Sequence, residues 1–155
     1  MNYQTIRAAI EAPMIAAYNA LSPAIPVYCD NVINYDVDTV DEFIHMNVQF
    51  GLTTQTALTT NHKYARGIVV VRVHSQKGQG AGRNQTLATT AYNVLDTLNN
   101  TAKPASGVYV RLGALDGPSF APDFGGTTPD QQSRRAFTPY FISRIEASFQ
   151  ATIIP

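Results

Sequence analysis

Residues 65–75, ARGIVVVRVHS, run into a glycine turn, KGQGAG at 77–82, and then into RNQTLATTAYNVLDTLNN at 83–100. This stretch decides the fold. Ile68 to Val71 are consecutive apolar residues. Such a run suits a strand covered on both faces, so 66–74 is expected to be the central strand of a sheet. Beyond the glycines, Leu87, Ala91, Val94 or Leu95, and Leu98 recur at helical spacing, bordered by Ala88 and Tyr92. Asn99-Asn100 ends that helix.

Strand, glycine turn and helix in this order invite a phosphate-binding reading, and the residues decline it. A Walker loop closes with Gly-Lys-Ser/Thr, so that backbone N–H groups cradle phosphate and the lysine reaches it. Here Lys77 precedes the glycines and Arg83-Asn84 stand in the closing place. Gly78, Gly80 and Gly82 alternate, which breaks the dinucleotide fingerprint as well. The segment reads as a flexible strand-to-helix connection, with anion binding by Lys77, Arg83 and the helix N-terminus as the lesser alternative.

Outward from this centre, residues 3–21 place Ile6, Ala9, Ile10, Met14, Ala17, Tyr18 and Leu21 on one helical stripe. Pro13 interrupts it, so the helix either kinks there or restarts there, and Ser22-Pro23 stops it. Ile25 to Cys29 suits a short strand, and Asp30 to Val40 a polar turn region. From Asp41 to Phe50 the pattern alternates. Ile44, Met46, Val48 and Phe50 share a dry face; Phe43, His45, Asn47 and Gln49 share a wetter one. Residues 51–63, GLTTQTALTTNHK, are either an exposed loop or the arms of a long hairpin, which threonine favours. Val108 to Leu112 is a further strand. Residues 113–132 carry four glycines and three prolines and are expected to be a long loop. The last strand is expected over 135–154, with Phe137, Phe141, Ile145 and Phe149 on one face and an edge or bulge at Pro139. The whole predicts an α+β domain spanning 1–155: an antiparallel or mixed β-sheet packed by two helices, with a long hairpin connection and a long loop before the last strand.

Composition narrows the function classes. The chain has 155 residues, which fits a single domain able to bury about 68% of its unfolded surface. Eleven basic residues balance eleven acidic ones, so no global field draws a polyanion. Charged residues make up 14% of the chain, against about 25% in a typical soluble domain. Such a surface repels its neighbours weakly and suits close packing between subunits. MNYQTIRAAIEAP is broken by Arg7 and Glu11 and does not read as a secretory leader. No apolar run approaches the ~20 residues of a bilayer span. Cys29 stands alone, so an internal disulfide is excluded and an inert small residue is expected.

Chemistry is sparse. His45, His62 and His74 show no metal-ligand spacing, and Cys29 has no partner motif. No nucleophile elbow occurs. Ser75 follows His74 directly and so points to the opposite strand face. The acids Asp30, Asp36, Asp38, Asp41, Glu42, Asp116, Asp123 and Asp130 lie mostly in expected loops. No catalytic residue, cofactor or metal is assigned, and the chain is not expected to be an enzyme. The residues that stand out are suited to contacts: Thr53, Thr54, Gln55, Thr56, Thr59 and Thr60 in the threonine-rich connection, Arg66, Arg72, Arg111, Arg134 and Arg135 for their planar donor forks, and Phe120 and Phe124 as loop anchors.

NYQTIRAAIEAPMIAAYNAL at 2–21, DEFIHMNVQFG at 41–51 and RGIVVVRVHSQKGQGAGRNQTLATTAYNVLDTLN at 66–99 together resemble the tail terminators, or tail completion proteins, of tailed bacteriophages. The resemblance covers roughly residues 1–112. It implies a compact α+β domain that assembles into a homohexameric ring, caps the tail tube and stops its polymerisation. The ring then presents a surface to a head-completion or connector protein, with DNA passing through the channel unbound by sequence. It also implies a place in the virion neck, after assembly in the host cytoplasm, and no membrane. On this reading residues 51–64 and 113–135 carry most axial and lateral contacts. The alternatives are another neck component, such as a head–tail connector, or a tail-tube protein, and, further off, a small enzyme or ligand-binding module.

Overall fold

In a computed structural model of the chain, residues 2–30, 40–55, 63–76, 78, 80–101, 107–120 and 140–153 are described. The elements in order are α1 (Tyr3–Asn19), β1 (Val27–Tyr28), β2 (Phe43–Gln55), β3 (Lys63–Gln76), α2 (Ala81–Asn100), β4 (Val108–Leu112), β5 (Asp116–Phe120) and β6 (Tyr140–Ile153). The strands form one sheet in the order β1-β2-β3-β6-β4, with β5 beside β6 as well. β1 runs parallel to β2 and every other pairing is antiparallel, so the sheet is mixed and the fold is α+β. β3 is the middle strand as expected, but the expected cover on both faces is not found: Val69, Val71 and Val73 are fully buried beneath the helices, whereas Ile68 on the other face is 40% exposed.

Both helices cover one face of the sheet. Asn2 caps α1 by accepting from the N–H groups of Gln4 and Thr5. Ile6, Ile10, Met14 and Tyr18, one turn apart, are fully buried. Pro13 lies inside this helix without ending it, so neither a restart nor a second segment is found. The Tyr18 hydroxyl donates to the Leu87 carbonyl at 2.6 Å and ties α1 to α2. In α2, Leu87, Ala88, Ala91 and Leu95 are buried, with Val94 and Leu98 packed at the margin. They meet Val69, Val71 and Val73 of β3, Ile44, Met46 and Val48 of β2, and Ile145, Ala147, Phe149 and Ala151 of β6.

One polar knot crosses this core. Asn84 is fully buried, and its amide nitrogen donates to the Val73 carbonyl at 3.1 Å, the Ser75 hydroxyl at 3.0 Å and the Phe141 carbonyl at 3.1 Å. The buried Ser143 hydroxyl donates to its oxygen. The first turn of α2 is thereby bolted to β3 and β6 together.

Two expectations are corrected. The long loop at 113–132 contains a strand, β5. β4 pairs with Phe149 to Ile153 of β6 and then ends, which leaves the Ser143 to Glu146 part of β6 open on that side. β5 fills it, and Gly117, at φ 108°, takes up the register shift between Asp116 and Ser119 beside Pro118, which has no N–H to give. The expected strand Ile25 to Cys29 is two residues long, so Cys29 falls just beyond it. Part of the turn region at 30–40, residues 121–132 of the long loop, and the expected strand start from 135 with Pro139 and Phe137 lie outside the described residues.

Candidate interface

The β2–β3 hairpin is longer than the core beneath it. Phe43 pairs with His74 at one end and Gln55 with Lys63 at the other. The alternation of buried residues in β2 stops after Val48, and Leu52 is 70% exposed. Of the two options for residues 51–63, the hairpin holds for 51–55 and 63. Gly67 marks the junction between core and arm. A Cβ there would stand 2.1 Å from the Gln49 carbonyl oxygen and 2.6 Å from the Phe149 ring, so only glycine admits the close crossing. Tyr3 braces the arm, its ring edge-on to Phe50 at 4.9 Å and its hydroxyl 2.5 Å from that of Thr53.

Sheet edges over the core are closed by side chains. β1 covers only the start of β2. Past it, Asp30 accepts the Val48 N–H at 2.9 Å, and the Arg7 guanidinium donates to the Val48 carbonyl at 2.8 Å. Arg7 also pairs with Asp30 and with Glu11. Burial alone would raise the Asp30 carboxyl, but hydrogen bonds from Asn47, Arg7 and the Val48 N–H outweigh it and hold the pKa below its ordinary value. On the opposite edge the Leu112 N–H donates to Asn99 Oδ1 at 3.2 Å, and Arg111 donates to the Val110 carbonyl at 3.1 Å. Such plugs stop an edge from recruiting another strand. From Phe50 to Thr54 the outer edge of β2 carries no comparable plug among the described residues.

The face of the sheet away from the helices is polar and aromatic. His74 stacks on Phe43 at 4.0 Å between centroids, with Tyr140 edge-on at 5.9 Å. Burial pushes its pKa down to about 4. His45, Arg72 and Arg144 stand in one row across β2, β3 and β6. Burial, then the charge of Arg144, lowers the Arg72 pKa; burial, then the charge of Arg72, lowers that of His45. Arg72 donates to Asn47 Oδ1 at 2.6 Å, and Asn47 in turn donates to Asp30.

The contact residues expected from sequence therefore divide. Thr53, Thr54, Gln55 and Arg66 come together on the arm. Arg72 does not join them, lying on the open sheet face, and Arg111 lies on β4 as an edge plug. Phe120 ends β5, while Thr56, Thr59, Thr60, Phe124, Arg134 and Arg135 lie outside the described residues. Sequence reading missed Asp30, Arg7 and Asn84. Their roles depend on partners far along the chain, and no local pattern announces them.

The turn before α2 does not present Arg83 to an anion, because its fork is bound to the Glu42 carboxylate through two contacts of 2.7 Å. Ser75 is taken up by the Asn84 knot. Burial, first of all, pushes the Cys29 thiol up to about 11, which makes it a poor nucleophile at neutral pH. Among the described residues, no group of three or more His, Cys, Asp or Glu is placed to hold a metal ion. Nor is any described helix long and apolar enough to cross a membrane.

No family model and no curated protein matches the chain. Among solved structures, one chain whose designation names no function aligns over 100% of this chain and 99% of its own, at a TM-score of 0.67 and 19% sequence identity. The similarity is one of fold, and it extends from end to end.

Proposed function

We propose that the chain is a structural subunit of a tailed-bacteriophage neck. It closes into a ring that caps the tail tube, ends tube growth and offers its other side to the head-completion or connector protein. The observation that carries the reading is the hairpin arm. A well-packed α+β core closes its sheet edges with Asp30, Arg7, Asn99 and Arg111, yet holds out Phe50 to Thr54 with no comparable plug among the described residues and with Leu52 in water. An exposed arm of that kind suits assembly, and the sequence resemblance to tail terminators supports this assembly in particular.

The mechanism is positional. One side of the ring complements the end of the tube. The other lacks the tube's own docking surface, so no further tube ring can add. Contacts between identical subunits in such a ring are heterologous and must close on themselves.

The test is electron microscopy of the purified protein mixed with tail-tube subunits. Six-fold rings at the ends of tubes of limited length are the expected result. Long tubes with bare ends would overturn the reading and favour a connector, and polymerisation of the protein itself would make it a tube subunit.

A further inference from the structure

Zero net charge conceals a strong segregation. Residues 30–42 contain Asp30, Asp36, Asp38, Asp41 and Glu42 and no Lys or Arg. Residues 43–95 contain Lys63, Arg66, Arg72, Lys77 and Arg83 and no Asp or Glu. The β2–β3 hairpin is thus free of acid along its whole length and begins directly after an acidic segment.

Arg83 comes back to pair with Glu42, but the fold sets Lys63 and Arg66 apart from the acidic segment. Val40, Asp41 and Glu42 precede β2 at the Phe43–His74 end of the hairpin. Lys63 and Arg66 lie on the arm at the Gln55–Lys63 end. A strand the length of β2, 13 residues, spans about 40 Å. Lys63, Arg66 and Asp41 are exposed, and none makes an ion pair among the described residues.

Each pole has an apolar component of matching shape. On the arm it is Leu52. At the acidic end it is an open hollow of about 370 Å³ with Pro23, Ile25, Pro26 and Val40 in its lining and Asp41 and Glu42 at its acidic side. Leu52, on the arm that carries Lys63 and Arg66, complements an apolar hollow with the exposed Asp41 carboxylate at its side. The two cannot meet within one chain, because the length of the hairpin separates them.

We infer that the arm of one copy docks into the acid-flanked hollow of the next copy, making a head-to-tail contact between identical chains. The inference rests on the ring-forming reading above and names the surfaces that join. A contact of unlike patches propagates from copy to copy and closes when the rotation allows, whereas a two-fold contact would stop at a dimer. Opposed charge also steers encounter and fixes register.

Mixing of charge-reversed chains tests it. Lys63→Glu with Arg66→Glu makes both poles acidic; Asp41→Lys brings a cation to the acidic end. Sedimentation velocity at low salt should show self-association of the wild-type chain that falls with added salt. Either variant alone should associate roughly ten-fold more weakly. An equimolar mixture should recover association, since the arm of each variant then faces an end of opposite charge. Leu52→Ser should weaken association without any change in its salt dependence. Circular dichroism confirms that each variant is folded before it is scored. Wild-type protein that stays monomeric at every salt and concentration, reversed arms that associate normally, or folded variants that show no recovery on mixing would each overturn the inference. Tube capping is read separately. Bare tube ends with the mixing recovery intact would remove the capping role and keep the contact; capped tubes without recovery would do the reverse.

Discussion

The two halves of the β2–β3 hairpin are made of the same two strands and behave as different materials. Between Phe43 and Phe50, paired with Gly67 to His74, β2 alternates buried and wetter residues, packs beneath the helices and is bound at Val48 by Asp30 and Arg7. Between Gly51 and Gln55 the alternation is gone and Leu52 stands in water. Backbone pairing shifts register between Phe50 and Thr53 and then resumes, so strand formation alone does not distinguish the halves. Burial and edge closure do. The core half is stabilised by what it covers; on the arm the β3 strand still reaches the core through Ala65, paired with Ala151, while the β2 strand gains little of its own.

Substitutions that break the core half should therefore cost most. Asn84→Leu should destabilise the fold by about 4 kcal/mol, seen as a lower denaturant midpoint at unchanged slope. It strands the Ser143 hydroxyl, leaves the Ser75 hydroxyl only its 3.4 Å bond to the Phe141 carbonyl, and removes the donor shared by the Val73 and Phe141 carbonyls, all beneath α2. The pH dependence follows from His74. Its pKa in the fold is about 4 against an ordinary 6.5, so the unfolded chain holds more protons between those values. Stability from this group is complete above pH 6.5 and lost as pH falls to 4, about 3 kcal/mol in all. His45, lowered in the same direction, adds to the slope. His74→Phe keeps a ring beside Phe43 and should flatten most of that window in unfolding measured across pH. Gly67→Ala strikes the boundary itself. Its Cβ meets the Gln49 carbonyl and the Phe149 ring, and a loss of about 2–3 kcal/mol is expected by thermal unfolding.

Sequence carried the core half further than the arm. The Ile68 to Val71 run placed β3 in the middle of the sheet, and the stripes of α1 and α2 named most of the buried residues, because burial writes a period into local sequence. It did not show β5. Gly117 and Pro118 read as loop, and only the open part of β6, more than twenty residues later in the chain, makes a strand of them. The Asn84 knot was equally hidden, a polar residue on a helix with partners on two strands. At the candidate interface, threonine content pointed to the arm, but arginine as a residue type did not separate Arg66 on the arm from Arg72 on the sheet face and Arg111 on β4. Net charge misled in a specific way. Summing to zero hid an acidic segment that adjoins a hairpin with no acid in it.

The edge plug and the arm give the smaller effects, and they sharpen the comparison because stability and association should separate. Asp30→Ala removes an acceptor from Arg7, Asn47 and the Val48 N–H. These groups are partly exposed, which limits the loss to about 1–2 kcal/mol. It also opens the edge of β2 over the core, so concentration-dependent dimers should appear in size-exclusion chromatography where the wild-type edge is closed. Leu52→Ser marks the far end of the scale. The side chain is 70% exposed, and its removal from the monomer should shift unfolding by no more than about 0.5 kcal/mol. If the arm were part of the stability core, the same change would cost several times that and alter the denaturant slope. A midpoint that stays in place while self-association weakens would mean that the fold does not require Leu52 and the assembly does.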